Sequence, residues 1–177
     1  MKPRSLRVAL AAVVAIAAAP ACATDVAIDQ LSGVYKKSFK NGNIAGDKYD
    51  SENILEIVKV SPTTAYVRTH LEFFNGHVCN MWGVAKAEGD ALVYRGPANA
   101  EGKTCVLSVK AANGKITLGD PDSACTVSTC GARGMYDGMT FDLKARRAIR
   151  YMDVLLKSYQ YKDAIDESEG KPRTRMP

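Results

Sequence analysis

A mainly β fold is what this chain predicts: an antiparallel meander closed into a small barrel, with a C-terminal amphipathic helix packed on it. Three observations predict it. Eight short β-rich runs alternate with turn signals between Leu31 and Leu143. No glycine-rich phosphate loop and no alternation of strand and helix interrupts them. After Leu143 the apolar spacing changes from two to three and four.

The runs follow in order. Leu31 to Phe39 ends at Asn41-Gly42, and Asn53 to Val60 ends at Ser61-Pro62. Thr63 to Phe74 meets Asn75-Gly76, a hairpin signal because both residues tolerate positive φ. His77 to Ala87 turns at Glu88-Gly89-Asp90, and Ala91 to Arg95 leads into a loop with Gly96-Pro97 and Gly102. Thr104 to Val109 and Ile116 to Leu118 flank Asn113-Gly114, and Met139 to Leu143 follows Asp137-Gly138. Closing such a meander removes exposed edges; a two-sheet sandwich is the other architecture the pattern allows.

The tail carries Ala145, Ala148, Ile149, Met152, Leu155, Leu156 and Tyr159 on one helical face. The predicted helix starts near Leu143, capped by Asp142, and runs to Ser158 or beyond. Its stripe should cover Trp82 on the outside of the barrel. The predicted organisation is 24–143 barrel, 144–166 helix of the same domain, and 167–177 a loose polar tail.

The first 23 residues read as a secretory signal: basic Lys2, Arg4 and Arg7, an apolar run from Val8 to Ala19, and Ala21-Cys22-Ala23. The run is shorter than the roughly 20 residues of a membrane span. A lipoprotein acylated at Cys22 is the alternative. Residues 24–177 hold 21 basic and 19 acidic residues, so nothing global points to nucleic acid. They also hold four cysteines, Cys79, Cys105, Cys125 and Cys130. In an exported chain these read as two disulfides, which places the protein in the periplasm or outside the cell.

Strand direction, counted along the meander, brings all four cysteines to one rim. Cys79 with Cys105 is the favoured pairing, and a crossed pairing also fits. The loop from Cys125 to Gly138 sits there, with Gly131, Gly134 and Gly138 and the side chains of Arg133 and Tyr136. A braced, sharply turned loop presenting Arg and Tyr is a candidate binding surface built from Gly131, Arg133, Gly134 and Tyr136. The expected partner is a protein.

Other constellations carry less. Pairing Phe74 with His77 would put His70, Glu72, His77 and Cys79 on one face, but no metal-ligand spacing appears and no metal or other cofactor is expected. No serine sits in a nucleophile elbow and no paired carboxylates stand out, so the chain does not read as an enzyme. Lys144, Arg146, Arg147 and Arg150 form a basic cluster at the predicted helix start.

Asn75-Gly-His-x-Cys79, Ala91-Leu-Val-Tyr94, Cys105, Cys125, Cys130-Gly-Ala-Arg-Gly134 and Arg147-x-Ile-Arg-Tyr151 resemble a set of small exported proteobacterial proteins of unassigned function. In architecture and compartment the chain also resembles periplasmic lysozyme inhibitors, with Leu31-Ser-Gly-Val-Tyr35 a partial match to their Ser-Gly-x-x-Tyr stretch. That resemblance implies a non-enzymatic envelope protein that inhibits a wall-degrading hydrolase. A lipocalin-like carrier of a small apolar ligand is the alternative, and it needs an open interior.

Overall fold

The computed structural model describes residues 26–99 and 101–171. The expected signal peptide and the last six residues of the expected tail lie outside them. Eight antiparallel strands follow in sequence order as one sheet. They are β1 Gly33–Gly42, β2 Lys48–Ser61, β3 Thr64–Glu72, β4 Val78–Glu88, β5 Ala91–Ala98, β6 Thr104–Ala112, β7 Lys115–Gly119 and β8 Thr140–Asp142. The sheet curls until its ends meet. Beyond β8, Arg147 bridges Val34 in β1, with both backbone hydrogen bonds formed at 2.9 and 3.0 Å.

Alternation fills the interior. Tyr35, Leu55, Ile57, Val67, Leu71, Met81, Leu92, Leu107, Ile116 and Leu118 are buried in one cluster. The short helix α1, Ile28–Leu31, closes one end with Ile28 and Leu31. Among the described residues these side chains occupy the inside of the barrel.

The C-terminal segment departs from the expected single helix. Leu143–Ala145 is one 3₁₀ turn, and Asp142 caps that turn through Lys144 N at 2.8 Å. Residues 146–151 stay non-helical because Arg147 is needed to close the barrel. Two short helices follow, α3 Met152–Lys157 and α4 Tyr159–Ser168, and α4 runs into the segment expected to be a loose tail. Ser158 breaks the path and caps α4 by accepting from Tyr161 N at 3.2 Å.

Both helices cover the outer face of β1–β4, as the apolar stripe implied. Ile149, Leu155 and Ala164 pack on Val34, Val58, Tyr66 and Trp82 in a second buried cluster. Trp82 donates from Nε1 to Asp163 Oδ2 at 3.2 Å. Beneath the chain entering α3 lies the fully buried Glu56. Its carboxylate accepts from Arg68 Nε at 2.5 Å and Nη2 at 2.9 Å, and from the Tyr151 hydroxyl.

One seam in the barrel is open. The β4–β5 ladder pairs only Lys86 with Val93 through Glu88 with Ala91, after which the strands part. Tyr94 fills the gap by lying across Gly83, where a Cβ would meet the ring at 2.1 Å. Its hydroxyl lies 3.4 Å from both carboxylate oxygens of Glu167, so α4 closes the seam from outside.

Candidate functional site

The lower end of the open seam is closed by the cysteine loop, and this makes the candidate site. The disulfides are Cys79–Cys130 and Cys105–Cys125. The expected Cys79–Cys105 pairing is therefore corrected to the crossed one. The β4–β5 ladder runs only from Lys86–Val93 to Glu88–Ala91 and so has ended well before Cys79. Instead the chain after α2, Ala124–Thr129, crosses back to β4. There Cys130 bridges Cys79, and Gly131 N donates to Val78 O at 2.9 Å.

Asp120 positions α2. Its buried carboxylate accepts from Cys125 N, Thr126 N and Thr126 Oγ1 at 3.1, 2.8 and 2.8 Å. Its own backbone N–H donates to Asp137 Oδ1 at 3.0 Å, tying both ends of the loop together. Ser123, at φ 53°, makes the left-handed entry into α2.

The four residues singled out from the sequence have different roles. Tyr136 does not face a partner: it is fully buried, and its hydroxyl lies 2.8 Å from Thr129 Oγ1. Burial pushes its pKa up to about 12. An aromatic in a glycine-rich loop was read as display, but here it anchors the loop to the core. Gly131 and Gly134 act through what they lack. A Cβ on Gly134 would stand 2.4 Å from Cys79 Sγ, and one on Gly131 2.8 Å from His77 Nδ1. The loop can lie against β4 only because neither carries a side chain. Arg133 is exposed, with Cζ 5.6 Å from the centre of the Phe74 ring. Among the described residues no ion pair holds it.

Phe74 belongs to the β3–β4 turn, which is longer than expected. Phe74–Gly76 forms a 3₁₀ turn with Asn75 at φ 61°, closed by Phe73 N donating to His77 O at 2.8 Å. The register is consequently Leu71 with Cys79 and His70 with Asn80. That is one residue from the expected pairing, and a one-residue slip reverses faces. Cys79 points inward. His70 lies outside, with Nδ1 2.7 Å from Asn80 Oδ1 and Nε2 3.3 Å from Glu72 Oε1. The expected His70, Glu72, His77 and Cys79 face does not form.

The β1–β2 turn joins the same rim. Ile44 N donates to Asn75 Oδ1 at 3.3 Å, and Gly76 N to Tyr49 Oη at 3.1 Å. Asn41, buried, donates from Nδ2 to Ser51 Oγ and Phe73 O at 2.9 and 3.0 Å. Three turns are thus locked to one another by a disulfide and side-chain hydrogen bonds.

This rim exposes apolar side chains that sequence reasoning missed. Ile44 is 74% exposed, Val127 66%, Met135 52% and Phe74 40%. The signal for Ile44 and Met135 was available: each is a large apolar residue within a turn-rich stretch, where no strand or helix period demands one. Together with Arg133 they form a stiff surface, apolar side chains beside a guanidinium that no carboxylate holds among the described residues. Such residue types concentrate at the centre of protein interfaces. No known protein family, curated protein or solved structure matches the chain.

Proposed function

We propose that the protein is a non-enzymatic binding protein of the cell envelope whose disulfide-braced rim inhibits a wall-degrading hydrolase. The observation that carries this reading is the clustering of Ile44, Phe74, Met135 and the unpaired Arg133 on three mutually locked turns. A surface held in one shape loses little entropy on docking, which favours tight binding. Glycan-cleaving hydrolases work with paired carboxylates in a cleft, and a single projecting guanidinium complements that charge. Two disulfides fit an oxidising compartment, where such enzymes act.

The test is inhibition of purified glycan-cleaving and amide-cleaving wall hydrolases by the exported protein, with size-exclusion chromatography of the mixtures. One class should be inhibited at near-equimolar protein and co-elute with it. Arg133→Glu should weaken inhibition at least about tenfold while leaving the unfolding midpoint unchanged. No inhibition and no co-elution in either class removes the reading.

A further inference from the structure

A second surface lies away from the rim, on the segment from Lys144 to Lys162. This stretch carries six cations, Lys144, Arg146, Arg147, Arg150, Lys157 and Lys162, against one carboxylate, Asp153. The rest of residues 24–177 is slightly acidic, with 15 basic and 18 acidic residues. Pairing is just as uneven. Lys36, Lys40, Lys59, Arg68, Arg95, Lys103, Lys110 and Lys171 all sit in ion pairs with carboxylates. Among the described residues none of the six cations of this segment does, and Arg146 reaches only the backbone carbonyls of Asp29 and Gln30.

The same segment exposes apolar side chains. Val154 is 70% exposed, and Tyr151, Leu156 and Tyr159 are each at least 39% exposed. Val154 and Lys157, three residues apart in α3, share its solvent face, and Arg150 is exposed two residues before the helix. Apolar side chains among unpaired cations match the layered chemistry of an anionic bilayer surface: tails and interface for Val154, phosphates for the basic groups. Of the nearby carboxylates, Asp166 shares a surface hollow with Leu156 and Lys162 but is paired with Lys171, while Glu167 and Glu169 lie at the C-terminal end of α4.

We infer that the α3 face docks the protein peripherally on membranes rich in anionic phospholipid. The partner is the lipid surface itself. The inference is independent of the rim, which lies on the cysteine-loop end of the barrel.

Sedimentation of the exported protein with phosphatidylglycerol vesicles and with phosphatidylcholine vesicles, at low and high salt, tests it. Binding to phosphatidylglycerol should exceed binding to phosphatidylcholine at least about tenfold and fall steeply with salt. Arg147→Glu/Arg150→Glu and, separately, Val154→Ser should each weaken it severalfold. Both substitute exposed side chains, so a circular-dichroism spectrum matching the parent confirms that folding is intact. Arg133→Glu should bind vesicles as the parent does. No binding to phosphatidylglycerol, equal binding to both lipids, or unchanged binding by both variants would overturn the inference. So would binding to an acidic polypeptide with none to vesicles.

Discussion

Replacing Glu56 by Leu should destabilise the protein by about 3 kcal/mol, and replacing Arg68 by Met as well should restore most of that loss. Glu56 is fully buried between β2 and the chain entering α3, and it is the acceptor for both Arg68 and Tyr151. Removing one partner of a buried, hydrogen-bonded ion pair costs roughly 3–5 kcal/mol, because the other charge is left in a poorly solvated site. The Arg68 side chain retains 28% of its exposure, so its guanidinium can turn toward water. That places the cost at the low end, near 3 kcal/mol, with the orphaned Tyr151 hydroxyl included in it. For a domain of this size, with a urea slope near 2 kcal/mol/M, the midpoint should fall by about 1.5 M. In Glu56→Leu/Arg68→Met both charges are gone and apolar groups meet in their place, so the midpoint should return to within about 0.5 M of the parent. Urea unfolding followed by Trp82 fluorescence reads both variants. A single-variant loss below about 1 kcal/mol, or a double variant no better than the single one, would refute the reasoning.

Three further outcomes follow from the same geometry. By loop-closure entropy, Cys79→Ser/Cys130→Ser should cost about 4 kcal/mol and Cys105→Ser/Cys125→Ser about 3 kcal/mol, from chain separations of 51 and 20 residues; non-reducing urea titrations check the order. Gly134→Ala would force a Cβ against Cys79 Sγ, so the loop should lift from β4 and dithiothreitol should reduce the Cys79–Cys130 bond at a lower concentration than in the parent, read as thiols released to a thiol reagent. In alkali the protein should lose stability between about pH 10 and pH 12. Burial raises the Tyr136 and Tyr151 pKa values to about 12 and that of Tyr66 upward as well. The unfolded tyrosines ionise first, so stability is complete below pH 10 and falls above it; ultraviolet titration alongside circular dichroism reads the two events. Tyrosine ionisation completed by pH 11 in the still-folded chain would contradict this.

The barrel was legible because each strand ends on strong turn chemistry, as at Asn113-Gly114 and Glu88-Gly89-Asp90, and because alternation marks the interior. What could not be read was where the meander breaks its own rule. The composition of β4 and β5 marks the end of their ladder only by Pro97, which lacks a backbone donor, and by Gly83 and Gly96, which both lie against the Tyr94 ring. The crossed disulfides and the place of α4 both follow from that opening. Asn75-Gly76 marked a turn but not its length, and the 3₁₀ form shifted every partner on β4 by one. The helical stripe from Ala145 to Tyr159 correctly put Ile149 and Leu155 against the sheet. Its first half is not helical, because a barrel edge competes for the backbone of Arg147 and wins two hydrogen bonds. At the rim, Arg133 was found as an exposed group, whereas Tyr136 was misplaced because sequence cannot tell a loop anchor from a displayed ring.

Everything proposed for the rim depends on the cysteine loop being tied to β4 through Cys130 as well as to β6 through Cys125. Proteolysis of the unreduced protein, with mass spectrometry of the linked peptides, decides this directly. A peptide containing Cys79 joined to one containing Cys130, and Cys105 joined to Cys125, is the expected result. Recovery of Cys79 linked to Cys105 would contradict it and free the loop that carries Arg133.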